Sequence, residues 1–158
     1  MTIAIISLVT WIVIIVFAIV PKRFTLVEMV FLYLASSILT VTIFSILVSN
    51  LHWIPASKDV EKALALHICR FVEIPLLLIM SSDILNSPLR IRTRWLIAIT
   101  IIIFLVVNDW ILVSLGILVF KKWNYMYAFI DHSFFVASLS LIARWFIHLK
   151  QEGVKRIE

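Results

Sequence analysis

The sequence predicts an all-α integral membrane protein, a bundle of five transmembrane helices in a single domain of residues 1–158. Residues of hydrophobic types make up 63% of the chain and the mean hydropathy is +1.13, whereas soluble domains are about 45–50% apolar. Five apolar segments approach or exceed the length of about 20 residues that a helix needs to cross a bilayer. The chain has only two glycines and four prolines, too few turn residues for a transmembrane β-barrel.

The five spans follow one another along nearly the whole chain. The first is predicted at residues 2–20, and it lacks the basic n-region and cleavage pattern of a signal peptide. The second, at 24–48, contains small and hydroxyl-bearing residues that favour close helix packing. The third is predicted at 63–84, the fourth at 95–120 and the fifth at 125–148.

The basic residues between the spans predict the orientation. Eight fall on one side and four on the other, and cytoplasmic segments carry the excess of Lys and Arg. The N-terminus is therefore predicted outside a cell membrane and the C-terminus in the cytoplasm. In the longest outer segment, Ser57 is predicted as the N-cap of the third helix. The eight are Lys22, Arg23, Arg90, Arg92, Arg94, Lys150, Lys155 and Arg156, and the four are Lys58, Lys62, Lys121 and Lys122.

A band of ionisable and polar residues is predicted inside the third, fourth and fifth spans. At about 1.5 Å of rise per residue, these residues fall within a layer roughly 10 Å deep in the outer half of the membrane. A charge at the centre of a membrane helix costs at least about 2.5–3.5 kcal/mol, so such residues usually have partners and a function. Positions 67, 70 and 73 are expected to form one stripe facing other helices. The band comprises His67, Arg70, Glu73, Asn108, Asp109, Asp131 and His132.

Arg70 is expected to be held by a carboxylate from another helix. Its planar guanidinium suits a carboxylate, and we expect Asp109 as the first choice of partner and Asp131 as the second. Glu73 is closer in sequence, but a pair within one helix would still leave two charges facing hydrocarbon. Three carboxylates exceed one arginine, so at least one of them is expected to be protonated or paired with a histidine.

The band is compatible with three functions. The first, which the sequence favours, is a non-enzymatic subunit or assembly partner, in which buried charges fix the helix packing or hold other membrane subunits. The second is a proton- or ion-coupled carrier or a small-ligand sensor that acts as a homo-oligomer. The third and minor one is a haem held between His67 and His132. Phe71 and Phe134 crowd that position, so no cofactor is expected.

Several other chemistries are excluded by the motifs that the sequence lacks. No zinc-protease, serine-hydrolase or P-loop motif occurs, so no catalytic residue is assigned and the protein is expected not to be an enzyme. Cys69 is the only cysteine, which rules out an intramolecular disulfide and a cysteine-rich zinc site, and no metal site is expected. The net charge of +5 comes from residues beside the spans, so the expected partner is the lipid bilayer and not nucleic acid.

Two stretches resemble a family of small, mostly uncharacterised multi-spanning membrane proteins of spore-forming Gram-positive bacteria. They are "RFVEIPLLL" at residues 70–78 and "NDWILVSLGILVFKKWNYMYAF" at residues 108–129, together about a fifth of the chain. In the second stretch, an acidic residue and Trp are followed by Leu-Gly and then by Trp-Asn. The resemblance implies a five-span protein of the plasma membrane, and it implies no particular activity.

Overall fold

A computed structural model describes residues 2–155 of the chain, and the side chains of residues 2–149. Within this part all regular elements are helices, and the β-type pairing is limited to an isolated antiparallel bridge between Ala56 and Leu118. Arg156, which was counted in the predicted orientation, lies outside the described residues, as do the side chains of Lys150 and Lys155.

Five helices are long and apolar enough to cross a membrane, and each overlaps one predicted span. The all-helical class and the five long apolar helices are therefore confirmed. Their ranges are Thr2–Ile19, Leu26–Asn50, Val60–Leu85, Ile91–Ser114 and Tyr125–Leu149.

Regular α-helix accounts for most of each long helix. The α-helices are α1 (Thr2–Ile19), α2 (Leu26–Ser45), α3 (Val60–Ile68), α4 (Ile74–Leu85), α5 (Ile91–Ser114) and α6 (Tyr125–Lys155). Two π-helical turns complete the set: Ile46–Asn50 extends α2, and Cys69–Glu73 joins α3 to α4. We call the continuous helix Val60–Leu85 the central helix.

The central helix forms the core of the bundle. It contacts all four of the other long helices, because α1, α2, α5 and α6 each pack against α4. More than half of its most apolar segment (56%) is buried, against 17–39% in the other four. A charged residue in this helix therefore meets protein on most sides, whereas a charge in α1 would not.

Two connecting segments, residues 51–59 and 115–124, meet at one end of the bundle, which we call the cap end. The backbone N–H of Ser57 donates to the carbonyl of Ile117 at 2.9 Å, next to the isolated bridge. The predicted topology also places these two segments on the same side of the membrane, since they follow the second and fourth spans.

The opposite end of the bundle, which we call the basic end, holds residues 20–25 and 86–94. Here the backbone N–H of Arg23 donates to the buried carboxylate of Asp83 at 3.4 Å. Arg94 donates to the carbonyl of Leu85 at 3.0 Å, which satisfies one of the carbonyls left unpaired where α4 ends.

The N-cap of the central helix differs from the prediction. Asp59 is the N-cap, and its carboxylate accepts a hydrogen bond from the N–H of Glu61 at 2.9 Å. The prediction of Ser57 is wrong, because the Ser57 hydroxyl accepts from Asp59 N–H at 3.2 Å in the turn before the helix. Asp caps a helix as well as Ser does, so residue type alone did not distinguish the two positions.

The fourth helix is displaced towards the N-terminus relative to its predicted span of 95–120. It begins at Ile91 and ends at Ser114. Gly116 has a φ of 65°, a left-handed conformation that glycine adopts without steric cost. The N–H groups of Gly116 and Ile117 donate to carbonyls of the last helical turn at 2.9 Å, the Schellman arrangement that ends many helices. The apolar residues beyond it belong to the cap end.

Pro75 leaves a carbonyl of the central helix without its usual partner. Proline has no N–H to donate to the carbonyl four residues earlier, which is that of Phe71. The Phe71 carbonyl instead accepts a hydrogen bond from the hydroxyl of Tyr33 in α2 at 2.7 Å. The π-helical turn Cys69–Glu73 directly precedes this point. Tyr33 therefore ties α2 to the irregular part of the central helix.

We expect Tyr33→Phe to lower the free energy of unfolding by about 1–3 kcal/mol, because it leaves the Phe71 carbonyl without a donor. In a Pro75→Ala background the new backbone N–H can reach that carbonyl, so the same change should cost less. Unfolding of the purified protein in mixed micelles by a denaturing detergent measures both values. Tyr127→Phe, at an exposed tyrosine of α6, is the matched control. An equal loss in both backgrounds would contradict the proposed link.

Candidate functional site

Four residues of the predicted band line one cavity between α2, the central helix, α5 and α6. They are Arg70, Asp109, Asp131 and His132, and we call the cavity the polar chamber. Its volume is about 50 Å³. One water molecule needs about 10–15 Å³ by this kind of measure, so the chamber has room for a few waters.

The side of the polar chamber towards the cap end is apolar. Ile54 from segment 51–59 and Leu118, Phe120 and Trp123 from segment 115–124 line it. Ile54 and Leu118 are buried. The two connecting segments, joined to each other by backbone hydrogen bonds, thus form a hydrophobic cover over a polar interior.

Asp109 and His132 form a hydrogen-bonded pair that joins α5 to α6. His132 Nε2 lies 2.8 Å from Asp109 Oδ2, and the histidine is almost completely buried. Asp109 keeps 18% of its side-chain surface accessible. The prediction of one carboxylate paired with a histidine therefore describes Asp109, and the prediction that Asp109 pairs with Arg70 is wrong.

The contacts of Arg70 differ from those that the sequence predicts. Its guanidinium lies over the ring of Phe44 in α2, a cation–π contact worth about 0.5–2 kcal/mol. Within the described residues no carboxylate forms a salt bridge with it, so Asp131, the second predicted partner, is wrong as well. The Nη2 atom is buried and has no hydrogen-bond partner there. The arginine lines the chamber together with Asp109 and Asp131, with no salt bridge to either within the described residues.

Glu73 and Asn108 do not line the chamber but are buried close to one of its lining residues. Asn108 donates through Nδ2 to the sulfur of Cys69 at 3.0 Å, and Cys69 does line the chamber. Glu73 is 0% exposed, and among the described residues neither of its carboxylate oxygens has a hydrogen-bond partner. Cys69 was missed as a site residue, since a single cysteine within an apolar span carries no signal of its own in the sequence.

His67 is outside the chamber. Its ring is exposed, stacks on Phe71, and has Nδ1 2.7 Å from the carbonyl of Ala63 in its own helix. The predicted stripe is therefore wrong, since exposure falls from exposed His67 through half-buried Arg70 to fully buried Glu73. Steps of three residues drift by about 60° each around a regular helix, and the wider turn that begins at residue 69 adds to the drift.

The bis-histidine arrangement needs both rings to face one pocket. His67 does not line the chamber, and the Nε2 atom of His132 is already bonded to Asp109. These two side chains are therefore not placed to hold a haem between them.

A second polar cluster at the basic end was not predicted. Asn86 donates to the carbonyl of Ser82 at 2.8 Å and lies 3.4 Å from the hydroxyl of Ser140, and it accepts from Nε of Arg144 at 2.7 Å. The cluster joins α4 to α6. Polar residues are ordinary near the end of a span, so nothing in the sequence distinguished these from a solvated turn.

Comparisons of the chain with protein families, curated proteins and solved structures found no match. The resemblance of residues 70–78 and 108–129 to a family of small membrane proteins therefore stays a prediction. Those two segments do meet in the fold, where they contribute Arg70 and Asp109 to the polar chamber.

We expect a double-mutant cycle on Asp109 and His132 to give a coupling energy of about 0.5–3 kcal/mol, the range for residues in direct contact. Asp109→Ala or His132→Ala alone leaves the other group buried without its partner, whereas the double variant leaves neither. Unfolding in mixed micelles measures the three variants. The cycle of Arg70→Ala with Asp109→Ala is the control, and its coupling should be smaller, because the two side chains share the chamber but form no salt bridge. A larger coupling there than for Asp109 and His132 would favour the pairing predicted from the sequence.

Proposed function

We propose that this protein is a multi-pass membrane protein that binds and releases protons at the polar chamber, as part of a proton-linked carrier or sensor. Four kinds of observation support the proposal: the apolar outer surface, the distribution of basic residues, the buried polar atoms without partners, and the volume of the chamber.

Placement in a membrane is supported by the outer surface of the helices. Large apolar side chains are exposed along their lengths, for example Trp11 (62%), Ile19 (75%) and Leu96 (66%). Contiguous exposed apolar patches larger than a few hundred Å² are rare on soluble monomers, whereas a bilayer accepts them at no cost. The location that we propose is the plasma membrane, and the apolar surface supports placement in a membrane.

The orientation that we propose places the basic end in the cytoplasm. Arg90, Arg92 and Arg94 lie there, with Lys22 and Arg23 beside them. Cytoplasmic connections carry the excess of Lys and Arg. The cap end then faces outwards, and the polar chamber lies in the outer half of the membrane, below its hydrophobic cover.

The observation that carries the proposal is a set of buried polar atoms without protein partners. Networks that only hold helices together satisfy their buried groups, since each unsatisfied one costs about 1–3 kcal/mol and charged ones cost more. Among the described residues the atoms in or beside the chamber are Arg70 Nη2, both carboxylate oxygens of Glu73, Asn108 Oδ1 and His132 Nδ1. This pattern favours a site completed by water and protons over a purely structural network.

The size of the chamber favours protons over a larger ligand. A pocket that encloses a drug-sized molecule has about 300–1,000 Å³, whereas the chamber has about 50 Å³. A few waters in contact with carboxylates and a histidine can pass protons between these groups, and the guanidinium of Arg70 can orient the waters by donating hydrogen bonds. Proton exchange with the hydrogen-bonded Asp109–His132 pair would change the charge of the pair, and would thereby change the strength of the contact between α5 and α6. That coupling connects proton binding to helix movement.

A role as a subunit or assembly partner is the second candidate, and the packing of α1 favours it. Of its eighteen residues only Ile6, Thr10 and Val13 are buried, so most of its surface is available to lipid or to another protein. The mass of the protein in mild detergent separates the candidates. Co-purification with a different chain favours the subunit role, and a homo-oligomer favours the carrier or sensor.

The orientation predicts which positions a membrane-impermeant thiol reagent reaches in intact cells. Cysteines placed at Lys58 or Lys122, at the cap end, should be modified, while one placed at Arg92 should react only after the membrane is opened. Cys69 is fully buried, so the native thiol is a suitable internal background. The reverse pattern would move the chamber to the cytoplasmic half.

We expect infrared difference spectra between acidic and alkaline buffer to show carboxyl signals from the chamber. Asp109→Asn and Asp131→Asn should each remove part of the signal, because each amide cannot take up the proton. Asp83→Asn, the same change at the basic end, should leave the chamber signals intact. Spectra unaffected by the two chamber variants would exclude proton binding there and leave the structural role.

A further inference from the structure

A groove between α5 and α6 begins near the basic end and continues past the middle of α6. Its volume is about 380 Å³, within the range of ligand pockets, and it is open to the outside of the bundle. Its wall is mainly apolar, and includes Ile99, Ile102, Phe129, Val136 and Leu141. It is separate from the polar chamber, since none of these residues lines both.

The groove is long and follows α6. It extends from Phe129 to Arg144, and this stretch of helix spans about 22 Å at about 1.5 Å per residue. The hydrocarbon layer of one membrane leaflet is about 15 Å deep, half of the usual core. The groove is therefore long enough for an extended acyl chain of a phospholipid to lie along it over the whole depth of that leaflet.

At the basic end of the groove lies a positive charge whose position is fixed by a hydrogen bond. Arg144 lines the groove, and its Nε donates to Asn86 Oδ1 at 2.7 Å. This bond fixes the plane of the guanidinium, and among the described residues the two terminal nitrogens have no hydrogen-bond partner. Trp95 lines the same end and is 57% exposed, as tryptophans at the membrane–water boundary are. A cation above an apolar groove matches a phospholipid, with its phosphate above its acyl chain.

We infer that the groove between α5 and α6 binds an anionic phospholipid, with one acyl chain along α6 and the phosphate hydrogen-bonded to Arg144. The guanidinium can give two parallel hydrogen bonds to phosphate oxygens, and basic pockets between membrane helices bind anionic headgroups in this way. The inference rests on the membrane placement proposed above, and it does not depend on proton binding in the chamber.

Charge complementarity favours a lipid over a second copy of the chain. A copy packed in parallel would bring its own basic end, with Arg90 and Arg92, next to Arg144. Like charges at an interface repel each other. A phosphate brings the opposite charge at the same depth, and its acyl chain supplies the apolar contact.

Native mass spectrometry of the full-length protein in mild detergent tests the inference. The protein is mixed with dioleoylphosphatidylglycerol or with dioleoylphosphatidylcholine, and the fraction that carries one lipid is measured. We expect preferential binding of phosphatidylglycerol, reduced by about tenfold in Arg144→Gln, which removes a charge-assisted contact. Arg92→Gln, at an exposed arginine of the same end, is the matched control and should bind as the unchanged protein does.

Filling the groove tests the acyl-chain part separately. Ala137→Leu and Ser133→Leu place bulk in its middle and towards its far end, and each should lower the binding of both lipids. Ala18→Leu, on the exposed face of α1, is the control. Equal phosphatidylglycerol binding by Arg144→Gln and Arg92→Gln overturns the inference. So does unchanged binding by both filled variants, or a homodimer that the filled variants dissociate. Recovery of the protein from membranes by alkaline washing without detergent would instead refute the membrane placement itself.

Discussion

The fold depends on the burial of one helix that is irregular and charged at the same point. The central helix packs against the four other long helices, and it carries Arg70, Glu73, a π-helical turn and Pro75 within a short segment. Each of these features needs protein around it, because hydrocarbon offers no hydrogen bonds to a freed carbonyl or a charge. The hydroxyl of Tyr33 and the ring of Phe44, both from α2, meet two of these needs. The position of α2 is thus tied to the irregularity of its neighbour.

The pairing of the ionisable side chains depends on which of them α5 and α6 bring to the same side of the central helix. Asp109 and His132 face each other across those two helices at 2.8 Å, and their contact leaves Arg70 to the aromatic face of Phe44. An arginine over a ring keeps its charge and several donors available, whereas an arginine locked to a carboxylate does not. In the proposed function, this difference leaves donors of the Arg70 guanidinium available to water in the chamber.

Polar contacts hold α6 at two levels. His132 bonds to Asp109 of α5 at the chamber, and Ser140 and Arg144 bond to Asn86, which follows α4, at the basic end. A change in the Asp109–His132 contact therefore acts on a helix that is also held near the basic end. In the proposed function, α6 is the element through which proton uptake at the chamber would reach the basic end and its lipid groove.

The sequence by itself determined the helical class and the number of long apolar helices, because the length and composition of an apolar run decide whether it can span a bilayer. It also placed Arg70, Asp109, Asp131 and His132 at a common level along the bundle, where they line one cavity, since helical rise converts sequence position into distance along the helix. The tertiary structure alone decided which charges meet. Rotation of each helix about its axis is set by packing, and the π turn at Cys69–Glu73 shifts that rotation after residue 69. For this reason His67 lies outside the chamber although it was predicted in the band, and Cys69 lines the chamber although it was not. Asp109 likewise pairs with His132 and not with Arg70.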